Sequence, residues 1–203
     1  MCLSRPDLVT RIHDSYLEAG ADIIETNTFN SNRLSQSEYG TESLVREMNR
    51  AGAAIARREA DRHTRQNPSK PRFVAGSMGP TALSASLPTD VNDTTLRAVD
   101  FETLADAYFT QAAGLIEGGA DFLLIETAFD LINAKAAAEG ARRAMDELGT
   151  DIPLVFSFTV SDASGRILSG QTPEAILAAI APYAPAALGF NCSAGPENLA
   201  ATV

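Results

Sequence analysis

The residues best suited to chemistry stand at the ends of short apolar runs. Glu126 closes the run Phe122-Leu123-Leu124-Ile125, Thr127 follows it, and Asp130 stands where the next helix would begin. A run of that length without interior charge reads as a strand covered on both faces. A carboxylate at its carboxyl end lies where α/β sheets take their ligands. In that place Glu126 either receives a cationic group or merely caps a loop or pairs with a lysine. Glu25 closes Ile23-Ile24 in the same way, and the segment after it, TNTFNSNR at 26–33, is dense in hydroxyls and amides, among them Thr28, Asn30 and Ser31. Such groups suit a small zwitterionic ligand, and they equally suit turns. Gly76 and Gly79 flank another strand end in GSMG, where missing side chains let the backbone approach a ligand or a neighbouring loop. Thr159 and Cys192 complete a set of strand-end residues gathered from along the chain.

Several chemistries are excluded. A phosphate cradle needs a longer glycine series with a lysine or a helix start, and SMGPT has neither. Lys135, the best Schiff-base candidate, falls in the helix after the central strand and away from the strand ends, which disfavours an aldolase. His13, one of two histidines, lies beside an apolar helix stripe and reads as structural. The formal net charge is −10, and the 16 Lys and Arg form no basic stripe, which argues against nucleic acid. No apolar run approaches the ~18 residues of a membrane span. The opening MCLSRPDLV has no core of signal-peptide length. Cys2 and Cys192 are too few for a disulfide framework, so the expectation is a reducing compartment, the cytoplasm.

The elements that must position these residues follow from periodicity and punctuation. Residues 18–29, EAGADIIETNTF, and 117–129 run through nearly the same series, the signature of repeated strand–loop–helix units. Helices are expected at 6–18, 41–63, 101–117, from about 130 to Gly149, and from Pro173, where Thr172 caps and Glu174 lies in the first turn. Strands are expected at 21–25, 73–76, 122–125, 153–160 and 186–190, and Pro196 opens one more helix. Segment 84–97 exceeds a usual βα loop and suggests a lid or rim. Alternating units of this kind fit a doubly wound sheet or a (β/α)8 barrel. Functional residues at many strand ends, with no fingerprint in a first turn, favour the barrel.

Six segments carry a family resemblance: GADIIETNTFNS at 20–31, SMGPT at 77–81, SLPTDVND at 86–93, GGADFLLIETAFDLINAKAA at 118–137, TVSDASGRILSGQT at 159–172 and GFNCSAGP at 189–196. Together they resemble the homocysteine-binding barrel of cobalamin-dependent methionine synthase, within the homocysteine methyltransferase family. The resemblance implies a TIM barrel of which 1–203 is an incomplete domain, family strands two to six of eight, truncated at both ends. It implies methyl transfer to the thiol of homocysteine, with zinc holding the sulfur as thiolate and methylcobalamin supplied by another domain. Cys192 matches the family's first zinc ligand, and the two further cysteine ligands have no counterpart in this sequence. Glu126 matches the carboxylate that receives the substrate ammonium, and Asn30, Thr28 and Ser31 match the loop bordering the substrate. The implied partners are homocysteine and either the missing barrel segments or the cobalamin and folate domains of a longer enzyme. Open sheet edges imply self-association. The alternative expectation is an inactive remnant or a metal-free amino-acid-binding fragment.

Overall fold

The computed structural model describes residues 1–160, 164–192 and 195–200. Five parallel strands, β1 (Ile23–Glu25), β2 (Phe73–Met78), β3 (Phe122–Ala128), β4 (Leu154–Phe158) and β5 (Ala187–Phe190), lie side by side in chain order. Helices α1 (Pro6–Glu18), α2 (Arg33–Gln36), α3 (Val45–Gln66), α4 (Phe101–Glu117), α5 (Leu131–Leu148), α6 (Pro173–Ile180) and α7 (Pro196–Leu199) alternate with them. This is the expected five-stranded part of a (β/α) barrel. Each crossover brings the next strand into register beside the last, as in Ile24 beside Val74 and Ser77 beside Leu124, so every strand end reaches one mouth.

Local chemistry explains most element ends. Asp130 caps α5 by accepting from the Ile132 and Asn133 N–H groups at 2.8 and 3.3 Å, and Gly149 ends that helix with φ 62°. Thr172 caps α6 ahead of Pro173, as its sequence announces. Arg5 precedes α1 without a side-chain cap, and Pro6 opens the helix. The helix expected at 41–63 starts later, at Val45, and runs to Gln66. Before it the chain makes short α2, capped by Asn32, and two 3-10 turns.

The main core lies between sheet and helices. Leu123, Ile125, Phe156 and Phe158 project into it against Leu104, Tyr108, Ala137 and Ala141. Phe156 is wholly buried there, so it faces the helices and not the barrel interior. The alternate residues Leu124, Val155 and Ser157 are only half-buried and line the inner face. Glycine lets the helices touch. A Cβ on Gly140 of α5 would stand 2.5 Å from the Ala105 carbonyl of α4, and one on Gly114 of α4 2.5 Å from that of Arg46 in α3. At β1, Ile23 remains 50% exposed, and neighbouring Phe73 43%. Among the described residues no helix is long and apolar enough to cross a membrane.

Candidate functional site

Glu126 projects from β3 at the inner face, half-buried, and accepts a short hydrogen bond from Ser77 Oγ on β2. Ser77 is itself buried. Burial pushes the Glu126 carboxyl above the usual carboxylate range; the Ser77 bond lowers it in part, and the charge of Glu25 on β1 raises it further. No cation contributes to that balance. The site therefore holds a carboxylate with a hydroxyl to orient it and no positive partner among the described residues.

The loop after β1 is tied to β2 from below. Thr28 Oγ1 donates to the Ser77 carbonyl at 2.8 Å, so the 2.6 Å contact with Thr26 has Thr26 as donor. Thr26 Oγ1 accepts from the Ser77 N–H at 2.9 Å. Gln111 of α4 donates to the Thr28 carbonyl at 2.9 Å. Thr28 is 1% exposed, so its hydroxyl is fully engaged inside the protein and shapes the loop. Asn30 is exposed, with its carbonyl taken by Gln36. Ser31 is half-buried and gives its carbonyl to Asn49. The glycine at 79 serves the neighbouring loop: a Cβ there would lie 2.7 Å from the Phe29 carbonyl, which accepts the Gly79 N–H at 3.0 Å.

The expected lid at 84–97 is anchored rather than free at its start. Asp130 accepts from Ser86 Oγ at 2.6 Å, from the Ser86 N–H at 3.0 Å, and from Ser84 Oγ. Asn133 accepts from the Ala85 N–H at 3.0 Å. Ser169 holds the loop before α6 in place: its hydroxyl donates to Gln171 and accepts from the Leu131 N–H.

Cys192 follows β5 at the same mouth, exposed and unbonded to Cys2, with φ 80°. Cys2 is buried and packs against Asn27 of the loop after β1. Among the described residues no group of three or more His, Cys, Asp or Glu side chains could hold a metal ion. One exposed thiol supplies a single soft donor where a structural or catalytic zinc takes three or four protein ligands, so the residues described do not fit zinc.

Sequence reasoning missed Asn191. Its side chain accepts from Ser157 Oγ at 2.7 Å and from the Thr127 N–H at 3.2 Å, and donates to Thr127 Oγ1 at 2.9 Å. An amide directly before the strand-end cysteine was the available signal.

Over residues 1–203 the sequence matches the homocysteine S-methyltransferase family. The chain belongs to that family. Among solved structures it is similar to the homocysteine methyltransferase MmuM from Escherichia coli. The metallated form aligns with a TM-score of 0.78 at 24% identity, over 97% of this chain and 66% of that one. The apo form gives 0.71 at 23% identity, over 97% and 65%. This likeness shows a shared fold, and the chain spans 66% of the length of the metallated MmuM chain. The narrower assignment drawn from the sequence motifs, a truncated domain of cobalamin-dependent methionine synthase, is corrected by these matches. The family matched along the whole chain is the homocysteine S-methyltransferases at large, and the similar structures are of MmuM. The motifs behind that assignment are strand ends and turns that position a mouth, so they report the barrel more than the domains around it.

Proposed function

We propose that this member of the homocysteine S-methyltransferase family binds the amino-acid end of homocysteine at Glu126 and presents its sulfur at the mouth beside Cys192. The observation that carries the reading is the half-buried Glu126 carboxylate, oriented by Ser77 and without a cationic partner among the described residues. A substrate ammonium supplies the missing charge, and a charge-assisted hydrogen bond in a partly dry site is among the stronger polar contacts. Asn30 and Ser31 border the ligand, while Thr28 acts from beneath by holding the loop.

The family chemistry at such a site is methyl transfer. The homocysteine thiol loses its proton, its sulfur lone pair forms the new S–CH3 bond, and the donor leaves with the electron pair of the broken bond. The contribution of this chain is to hold the amino-acid end so that the sulfur has a fixed position, which removes much of the entropic barrier. Zinc is the family expectation for holding the thiolate, but the described donor set is incomplete, so no step is routed through a metal. Metal-free amino-acid binding is accordingly the better supported form of the reading. It requires no cobalamin or folate domain. We place the chain in the cytoplasm, where two unpaired cysteines persist, and propose self-association through the half-exposed Ile23 and Phe73 at the β1 edge.

Calorimetric titration with L-homocysteine tests the site. Glu126→Gln keeps shape and loses charge, and should weaken binding by about 1–3 kcal/mol. Equal affinity of the two forms would remove Glu126 from the site.

A further inference from the structure

We propose that the side-chain amide of Asn191 is the clamp that fixes the separation between the Glu126 carboxylate and the Cys192 thiol, making Asn191 a positioning residue for the bound amino acid. This rests on the amino-acid reading of the site and adds to it the device that joins its two ends.

The geometry begins with a fault in the sheet. The β3–β4 ladder slips between Ile125 and Ala128, and within that slip Thr127 takes φ 56°. A β-branched residue in the left-handed region is strained and persists only where its surroundings fix it. The slip also leaves the Thr127 N–H in need of an acceptor. Asn191 supplies it: Oδ1 accepts from Thr127 N–H at 3.2 Å and from Ser157 Oγ at 2.7 Å, while Nδ2 donates to Thr127 Oγ1 at 2.9 Å. The Asn191 N–H in turn donates to the Phe158 carbonyl at 2.9 Å. One residue thus ties together the ends of β3, β4 and β5.

The amide is the side chain this place demands. It must accept from an N–H and a hydroxyl and also donate to a hydroxyl, and the reverse orientation would set an NH2 group against the Thr127 N–H. Its position in the chain gives the clamp its reach. Glu126 is the residue before Thr127, and Cys192 is the residue after Asn191. Cys192 also holds a left-handed φ, 80°. Of three non-glycine residues with positive φ among those described, two are therefore the partner of the clamp and its immediate successor. Both functional side chains leave the backbone one peptide away from the same hydrogen-bonded pair.

The test uses the full chain with Cys2→Ala, so that labels reach only chosen positions. Nitroxides on Cys192 and on Glu126→Cys report their separation through dipolar broadening in continuous-wave electron paramagnetic resonance. With Asn191 present the separation should be narrow, and Asn191→Ala should broaden it. Asn191→Asp keeps both acceptor contacts and lets Thr127 Oγ1 donate instead, so it should restore much of the narrow distribution. Ser157→Ala removes one contact and should fall between, which keeps the test informative if the alanine variant at 191 unfolds. In the unlabelled protein, Asn191→Ala should weaken L-homocysteine binding by about tenfold, and Glu126→Gln should then cost less than it does with Asn191 in place. A separation unchanged by Asn191→Ala and Ser157→Ala overturns the clamp. A broadened separation with homocysteine affinity indifferent to both Glu126→Gln and Asn191→Ala supports the clamp as geometry and overturns the amino-acid reading.

Discussion

Replacing Asp130 by asparagine should loosen the rim segment and destabilise the whole chain. Asp130 is 1% exposed. One oxygen accepts from Ser86 Oγ, Ile132 N–H and Asn133 N–H, and the other from Ser84 Oγ and Ser86 N–H. Asparagine keeps one acceptor oxygen. If that oxygen stays on the helix cap, its NH2 group faces the Ser84 hydroxyl, which can turn to accept, and the Ser86 N–H, which cannot. One buried N–H left unpaired costs about 1–3 kcal/mol, and losing the negative charge at a helix N-terminus adds about 0.3–1 kcal/mol. For a chain of this size ~2–3 kcal/mol lowers the melting temperature by roughly 4–12 °C. Urea unfolding gives the free energy, and amide exchange at Ser86 and Leu87 should accelerate. The pH dependence supplies a second check. Burial pushes the Asp130 carboxyl up, but the bonds from Ser84, Ser86 and the Ser86 and Asn133 backbones outweigh it and hold the carboxyl below its usual range. Its stabilisation is therefore full above the ordinary carboxylate pKa and is lost as pH falls through the lower folded value. The gap between Asp130 and its asparagine variant should narrow below about pH 4. A cost under about 0.5 kcal/mol, the scale of an ordinary surface change, would refute the reasoning.

Glu126 should behave oppositely in the ligand-free chain. Its pKa is raised, chiefly by burial, so its favourable contribution belongs to low pH and fades as pH rises through the folded value. Glu126→Gln should accordingly raise the melting temperature at neutral pH while weakening homocysteine binding, and a lower melting temperature would contradict this. Gly140→Ala gains up to about 1 kcal/mol of helix propensity but must fit a Cβ 2.5 Å from the Ala105 carbonyl. Overpacking of about 1–3 kcal/mol should win in chemical denaturation, and a more stable variant would mean that α4 and α5 can separate freely. Cobalt(II) added to the purified chain should give no intense tetrahedral thiolate absorption band, because Cys192 is a lone donor among the described residues; such a band would reveal ligands from elsewhere.

Much of the fold was legible because punctuation and periodicity agree locally. The echo of GADIIET in GADFLLIET marks β1 and β3, Thr172-Pro173-Glu174 marks the start of α6, and Gly149 marks the end of α5. Glu126 was legible as a strand-end carboxylate, although its lack of a cation was not. The direction of β4 was legible in the alternation Phe156-Ser157-Phe158, whose two rings are wholly buried against the helices. The break at 33–44 was hidden because Asn32 caps a helix of only four residues. Thr28 looked ligand-facing because a hydroxyl in a polar loop carries no mark of burial. The role of Asn191 was hidden for a related reason, although its place before the strand-end cysteine was not: its partners Thr127 and Ser157 come from other strands, and only the slip at 125–128 makes one of them need it.

The carboxylate at β3, which meets no cation among the described residues, has a consequence for selectivity. On the proposed reading, a thiol of similar length but without an ammonium gains little by entering, because it leaves Glu126 charged, further shielded from water and still uncompensated. Rejection of such impostors then arises from a penalty already present in the resting chain, not from an added clash. Protons compete for the same seat as the amino acid. Because burial raises the Glu126 carboxyl above its usual range, lowering the pH should weaken homocysteine capture by filling that seat with a proton.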